Sequence, residues 1–119
     1  MASFRFSLLA RADLAQILAT SAERWGIEGR RRYAAVLAAA MRQVAAEPEG
    51  PTTRDRGDLS PSIRSFHLRN VRAAKAEAQV RRPVHVVYYR VVRPGLMEVV
   101  RVLHERMEPS RHLDDNPKE

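Results

Sequence analysis

The feature that most constrains the fold is a pair of apolar segments near the C-terminal end, separated by a tight turn. The first spans Val84–Val92 and the second Leu96–Leu103. Arg93-Pro94-Gly95 joins them, which is typical of a turn because proline presets φ and glycine accepts a positive φ. These features predict a β-hairpin. Its first strand is apolar on both faces, which indicates a position in the middle of a sheet with a layer on each side.

Apolar spacing in the N-terminal half predicts one strand followed by two helices. Ser3–Leu8 alternates apolar and polar side chains, which is typical of a half-buried strand. Apolar residues then recur every three or four positions over Ala10–Trp25 and again over Glu28–Glu47. Gly26 ends the first helix, and the short connection predicts an antiparallel helical hairpin. Trp25 is predicted to pack at the junction, because large aromatic side chains chiefly supply buried area.

A polar loop and a third strand separate the helical hairpin from the C-terminal strands. Glu49–Pro61 is a loop by composition, and Ser62–Arg69 has the apolar spacing of a strand. The basic segment Asn70–Arg82 is compatible with a weak helical turn, a mobile loop or an extension of a strand. Asp114–Glu119 is predicted to be a disordered tail.

The resulting order of elements is β-α-α-β-β-β, which predicts an α+β fold. The length of the chain fits one domain, which we expect over residues 1–113. The first strand must join the sheet of the later strands to find a partner. We therefore expect an antiparallel-rich sheet with the helical hairpin packed on one face.

Charge is distributed unevenly along the chain. The net charge is +7, and the segment 64–111 alone accounts for it, with 11 lysines and arginines against 4 acidic residues. A basic half of this kind is typical of proteins that bind RNA, DNA or an acidic protein. The alternative explanation is a general preference for arginine, since the chain has 19 arginines and 2 lysines.

Several classes of site and location are disfavoured by composition. The chain has no cysteine, which excludes disulfides and thiolate metal sites. Its four histidines show no close metal-ligand spacing and its glycines do not cluster, so we expect no metal and no other cofactor. No apolar run approaches the roughly 20 residues of a membrane span, and the N-terminus does not have the pattern of a signal peptide. We expect a cytoplasmic protein with no membrane partner.

Four segments, in the same order and with compatible spacing, resemble one protein family. They are the opening FRFSLLARADLAQIL, the helix joint SAERWG, the strand region LSPSIRSFHL and the ending YYRVVRPGLMEVVRVLHERMEPSRHL. On these segments the chain resembles, over nearly its whole length, a ParE-type toxin of the RelE/ParE toxin–antitoxin superfamily. The fold of that superfamily agrees with the order of elements derived above.

This resemblance implies a small cytosolic toxin that forms a hetero-oligomer with a cognate antitoxin. The antitoxin, ParD-like or similar, would be encoded beside the toxin and hold it inactive. ParE members typically act on DNA gyrase, trap the cleaved DNA–enzyme complex and stop replication, and they are not known as nucleases. RelE members share the fold and cut mRNA on the ribosome. Because fold does not decide function, the chemistry of the site must separate the two branches.

Cleavage of RNA needs a proton acceptor, a proton donor and cations beside the reacting phosphate. A ribonuclease of the RelE kind would draw these groups from Arg64, Arg90, Arg101 and His104. Family members that cut RNA usually have a tyrosine just after the last strand, whereas the last tyrosine here is Tyr89. This departure favours an inhibitor of gyrase with no catalytic residues. The ribonuclease stays open, since a histidine could replace the tyrosine as acid or base. A protein that has lost toxicity and only binds its antitoxin also stays open.

Two sets of residues are candidates for binding. We expect the target to contact the segment at and after the end of the last strand, namely Arg101, His104, Arg106, Met107, Arg111, His112 and Leu113. We expect an acidic, amphipathic segment of the antitoxin to lie along the helical hairpin and the sheet. Its predicted contacts are Arg30, Tyr33, Leu37, Arg64, Phe66 and Arg69.

Structural roles compete with these functional ones at some positions. His85 lies on the central strand, where a histidine with satisfied hydrogen bonds is commoner than a catalyst. Arg90 and Arg101 lie on a partly buried sheet and need partners there, for which Glu98 and Glu105 are candidates.

Overall fold

A computed structural model describes residues 3–72, 80 and 82–113, which form a five-stranded sheet and one long helix. The elements are β1 (Ser3–Phe6), α1 (Leu8–Ala46), β2 (Arg54–Asp55), β3 (Arg64–His67), β4 (His85–Arg93) and β5 (Leu96–His104). Short 3₁₀ turns occupy Leu68–Asn70 and Pro109–Arg111. The predicted disordered tail, 114–119, and most of the basic segment 70–82 lie outside the described residues.

The strands form a single sheet in the order β1-β5-β4-β3-β2. Three of the four pairings are antiparallel, and α1 packs on one face of the sheet. β1 runs parallel to β5, with Ser3 opposite Leu96 and Phe6 opposite Val99. The predicted α+β fold, with an antiparallel-rich sheet and the helical layer on one face, is confirmed.

The segment predicted to be a loop, 49–61, contains one short strand. β2 is two residues long, and Arg54 and Asp55 pair with Ser65 and Arg64 of β3. Both residues of β2 are charged and exposed. A strand this short and polar has no apolar alternation, so its existence depends on the neighbouring strand and not on its own sequence.

Ser7 ends β1 and begins α1. Its backbone N–H donates to the carbonyl oxygen of Val99 at 3.0 Å, continuing the ladder between β1 and β5. Its hydroxyl donates to the carbonyl oxygen of Val100 at 2.7 Å and accepts the backbone N–H of Ala10 at 3.0 Å. The second bond caps the helix, which therefore begins at Leu8, two residues before the predicted start.

Gly26 breaks α1 into two arms that run in opposite directions along the sheet. Its backbone has φ 72° and ψ −173°, which is not helical and which glycine adopts without a steric penalty. The first arm, residues 8–25, runs beside β5 towards the C-terminal end of that strand. The second arm, residues 27–46, returns beside β4: Tyr33 contacts His85 at its start, and the carbonyl oxygen of Pro48 accepts the hydroxyl of Tyr89 farther along. The helical hairpin lies where the sequence predicts it.

β4 is buried on both faces over Val87–Tyr89, whereas its last four residues, Arg90–Arg93, are exposed although the sequence predicted burial along the whole strand. Val87 and Tyr89 are 0% exposed and pack with the core residues of α1. Tyr88 points to the opposite face, where it packs with Ile63 and Leu113. In the described part of the chain, the loop before β3 and the segment after β5 cover this second cluster.

A buried ion pair fastens the first arm of α1 to β5. The carboxylate of Asp13 accepts Nε and Nη2 of Arg101 at 2.8 and 2.9 Å, and it also accepts the backbone N–H of Val102 at 2.9 Å. The remaining terminal nitrogen of Arg101, Nη1, donates to the carbonyl oxygen of His112 at 2.9 Å. The expected partners of Arg101 on the sheet were Glu98 or Glu105. That expectation is wrong, because the helix supplies the carboxylate.

We expect Asp13→Ala to lower the free energy of unfolding by about 3 kcal/mol, since it leaves a mostly buried guanidinium without its counter-charge. The two side chains are only 14% and 15% exposed, so water replaces little of the lost contact. Urea denaturation followed by circular dichroism measures the effect. Asp58→Ala is the matched control, because Asp58 pairs with Arg56 at an exposed position. Equal losses in the two variants would contradict a special role for Asp13.

Candidate partner-binding groove

A groove of about 940 Å³ lies between α1 and the sheet. Both arms of α1 contribute to one wall, near the break at Gly26. The start of β4 and the end of β5 form the floor, and the segment after β5 closes one side. A groove of this size can accept several side chains of a partner, since ligand sites commonly measure 300–1,000 Å³ by order of magnitude.

Exposed apolar side chains lie in and beside this groove. Trp25 is 64% exposed and Met107 is 46% exposed, and both line it, while Ile27 beside Trp25 is 79% exposed. Trp25 therefore does not pack in the core at the helix junction, as the sequence predicted. Its Cβ lies close to Gly29, since a Cβ atom added at Gly29 would be only 2.3 Å from the Cβ of Trp25. Gly29 lets the base of Trp25 rest on the second arm while the indole ring faces the groove.

Tyr33 and His85 form a hydrogen-bonded pair on the floor of the groove. The hydroxyl of Tyr33 lies 2.6 Å from Nδ1 of His85 and accepts the backbone N–H of Val84 at 3.2 Å. Burial, reinforced by the neighbouring His104, lowers the pKa of His85 to about 4, and burial raises the pKa of Tyr33. Both side chains are therefore neutral near pH 7.

His104 lies beside His85 on the adjacent strand. The two residues are opposite each other in the ladder, and their ring centroids are 5.5 Å apart at 79°. Nδ1 of His104 accepts the backbone N–H of Arg106 at 3.0 Å, which fixes the turn after β5. Farther along the same end of the sheet, Nε2 of His67 lies 2.6 Å from the carboxylate of Glu105 and holds the pKa of that carboxyl below its usual range.

The residues predicted to bind the target fall into three groups. The groove is lined by Arg101, His104, Met107 and His112. Arg106 and Arg111 are exposed on the segment that closes the groove. Leu113 is 5% exposed and packs under the sheet with Tyr88, so it anchors the segment and presents little surface to a partner.

The residues predicted to bind the antitoxin are more scattered. Tyr33 lines the groove, and Arg30 and Arg69 are exposed. Leu37 and Phe66, in contrast, are 4% and 1% exposed inside the helix-side core. A buried side chain offers little area to a partner, so the role of these two residues as contacts stays a prediction.

Arg64 is also engaged within the chain. Its guanidinium donates to the carbonyl oxygen of Pro48 at 3.1 Å and to the hydroxyl of Thr53 at 2.8 Å. It thereby ties the end of α1 to the loop that follows. This structural role leaves fewer donors for an antitoxin or a phosphate than the sequence suggested.

The four residues proposed for a ribonuclease do not converge. Arg90 pairs with Glu98 on the neighbouring strand. It lies five residues along β4 from His85, the residue that is opposite His104. At about 3.3 Å per residue, this separation is roughly 16 Å. Arg101 is held by Asp13. A cluster of cations and a proton donor around one phosphate would require these side chains within a few ångströms of one another.

Residues 3–72, 80 and 82–113 hold no group of three or more histidine, aspartate or glutamate side chains placed to bind a metal ion. The helical arms in the same ranges include no apolar stretch long enough to span a bilayer.

Sequence reasoning missed two important residues of the groove. Local spacing does not reveal the role of Asp13, because its partner Arg101 lies 88 positions away. Trp25 fits the apolar stripe of its helix, and periodicity does not reveal whether such a stripe ends in the core or in solvent. One available signal was the neighbouring Ile27, since two large apolar residues flanking a helix-breaking glycine are difficult to bury together.

Comparison with known proteins agrees with this geometry. The family described as "ParE toxin of type II toxin-antitoxin system, parDE" matches residues 4–109. Toxin ParE1 of Caulobacter vibrioides is 33% identical over 114 residues, which cover 95% of this chain and 99% of that protein. Toxin ParE1 of Mycobacterium tuberculosis is 29% identical over 110 residues, covering 92% and 96%.

The fold also has a counterpart among solved structures. A chain from the structure titled "Chromosomal ParDE TA system from P. aeruginosa" superposes with a TM-score of 0.61, over 87% of this chain and 96% of that one. At 16% sequence identity, this likeness concerns the fold alone. The family match and the C. vibrioides relative, which both span most of the chain, establish the family. The chain belongs to the ParE toxins of type II toxin–antitoxin systems.

Proposed function

We propose that this toxin acts in the cytoplasm on DNA gyrase, blocks replication, and is neutralised by a cognate, ParD-like antitoxin that occupies the groove. The observation that carries the proposal is the groove itself, in a chain of the ParE family. It places exposed apolar side chains beside the segment after β5, which we assign to target binding. One surface can then serve both the partner that silences the toxin and the partner that it attacks.

The chemistry of the groove favours an acidic, amphipathic segment. Trp25 and Met107 offer apolar anchors, and large aromatic residues in pockets often dominate binding energy. Among the described residues, four arginines line the groove against two carboxylates, and both carboxylates are paired with arginine. An acidic helix that folds on binding would bury its apolar face in the groove and place its charges against the arginines on the rim.

The exposed segment after β5 suits contact with a large target. It is short, and it is fixed at both ends by the turn at His104 and by the burial of Leu113. Arg106 and Arg111 project from it into solvent. A fixed loop with exposed cations can bind a protein surface or DNA held by that protein, because little ordering entropy is lost. The dispersed arrangement of Arg64, Arg90 and His104 favours such an inhibitor over a ribonuclease.

Neutralisation would follow from shared residues. Met107 and His112 belong to the segment assigned to the target and also line the groove assigned to the antitoxin. An antitoxin segment in the groove would cover one side of this loop. The toxin would then be unable to present the loop to gyrase while the antitoxin is bound.

We expect Trp25→Ser to weaken the complex with the antitoxin, the product of the adjacent gene, by about 30-fold, because truncation of a central aromatic anchor commonly costs about 2 kcal/mol. Isothermal titration calorimetry on the purified partners measures the change. The fold should be retained, since the indole is mostly exposed.

Leu8→Ser is the matched control for this measurement. Leu8 is 82% exposed on the first arm of α1 and does not line the groove. Its substitution should leave antitoxin affinity within about twofold, as is usual for a residue outside an interface. Equal affinity of the Trp25→Ser variant and the natural protein would reject the groove as the antitoxin site.

We expect the antitoxin-free protein to inhibit supercoiling by gyrase and to accumulate linear DNA. Joint replacement of Arg106 and Arg111 by glutamate should reduce the inhibition at least tenfold, because charge reversal opposes association with an anionic surface. Arg54→Glu, on the far edge of the sheet, is the control and should retain activity. Normal supercoiling in the presence of folded toxin would contradict the gyrase proposal, and mRNA cleavage in a translation reaction would establish the ribonuclease instead.

A further inference from the structure

We propose that His85 and His104 together form a binding site for a carboxylate carried by an otherwise apolar segment in the groove. The inference rests on the proposed function in so far as that segment belongs to the antitoxin. The site itself consists of side chains of this chain alone. It can therefore be tested without antitoxin or gyrase.

The hydrogen bonds of the two imidazoles determine which nitrogen of each ring carries the proton. Nδ1 of His104 faces a backbone N–H, that of Arg106, and must be the acceptor. The hydroxyl of Tyr33 accepts the backbone N–H of Val84, and it is best satisfied by donating its own proton to Nδ1 of His85. Each neutral ring then carries its proton on Nε2, and both Nε2–H groups are donors.

Both donors remain without a partner in the part of the chain that the structure describes. The hydrogen bonds there engage only the Nδ1 atoms of these two rings. Within the same ranges, no buried side-chain nitrogen or oxygen lacks a partner, so the two unpaired Nε2 atoms are accessible to solvent. Both residues line the groove and their ring centroids lie 5.5 Å apart, so a ligand that enters the groove can reach the two imidazoles together.

The surroundings of the donors favour an anion attached to a hydrocarbon chain. The groove also presents Ile17, Trp25 and Met107, which suit an aliphatic or aromatic group. The acidic residues among the described part of its lining, Asp13 and Glu28, accept hydrogen bonds from arginines and do not compete for the imidazoles. A glutamate or aspartate on an amphipathic helix has the required combination of an apolar neighbourhood and one carboxylate.

Protonation should be coupled to occupancy of this site. The titratable groups that influence His85 are Tyr33 and Asp13 from α1, His104 and Glu105 at the end of β5, and His67 from β3. Glu105 is engaged by His67. Because burial lowers the pKa of His85 to about 4, this side chain is neutral near pH 7 when the groove is empty. A carboxylate beside Nε2 would favour the charged imidazolium, so the pKa of His85 should rise on binding and the complex should take up a proton as pH falls.

The test is a titration of the full chain, labelled with ¹⁵N, with hexanoate and with hexanamide. The two probes share a hydrocarbon chain and an oxygen acceptor, and they differ in charge. We expect hexanoate to shift the Nε2 resonances of His85 and His104, to raise the pH midpoint of His85, and to bind at least about fivefold more tightly than hexanamide. Equal binding of the two probes, or unchanged imidazole resonances while the Trp25 indole shifts, would overturn the proposal.

His104→Asn isolates the donor from the fold. The asparagine oxygen can take the place of Nδ1 and accept the backbone N–H of Arg106, while the Nε2–H donor is lost. We expect this variant to lose the preference for hexanoate and to bind the two probes within about twofold of each other. A retained preference would contradict the site.

Hexyl phosphate is the third probe. If it binds more tightly than hexanoate, the preferred ligand of the site is a phosphate and not a carboxylate. A negative result with all probes would leave gyrase inhibition unaffected, so the two proposals can fail separately.

Discussion

The contact between Asp13 and Arg101 joins three parts of the chain that are distant in sequence: the first arm of α1, strand β5 and the segment that follows it. A mostly buried pair of this kind adds little net stability compared with apolar packing, but it strongly penalises arrangements in which either partner is unpaired. It therefore fixes how the helix sits on the sheet. Because both residues line the groove, the same contact also sets the distance between the groove's walls.

The sheet has two covered faces, and the second one explains how the short segment after β5 is held in place. Leu113 and Ile63 pack on Tyr88, so the ends of two loops are buried against the centre of the sheet. The intervening backbone is exposed, while its attachment points are fixed. This combination allows polar and charged side chains to be presented in a constant position, which an unanchored tail would not do.

Local sequence patterns predicted the strands and helices well, because period-two and period-3.6 spacing report which side chains face a core. They predicted β4 as the central strand and Gly26 as the helix break. They failed where the answer depends on distant partners. β2 exists because β3 offers it an edge, and Arg101 finds its carboxylate on a helix. The apolar stripe that ends at Trp25 is equally compatible with burial inside the chain and with burial against another molecule, and only the three-dimensional arrangement distinguishes these cases.

The parallel pairing of β1 with β5 has a consequence for how the protein comes into existence. The first strand, Ser3–Phe6, has its partner at residues 96–99, so the sheet cannot close during most of translation. Until then, the apolar face of the helical hairpin is exposed, because the strands that cover it have not yet been synthesised. Contacts of such large sequence separation slow folding, and apolar surfaces therefore stay exposed for longer. The groove, which is lined by residues from Asp13 to His112, can therefore be complete only after nearly all of this sequence has been synthesised.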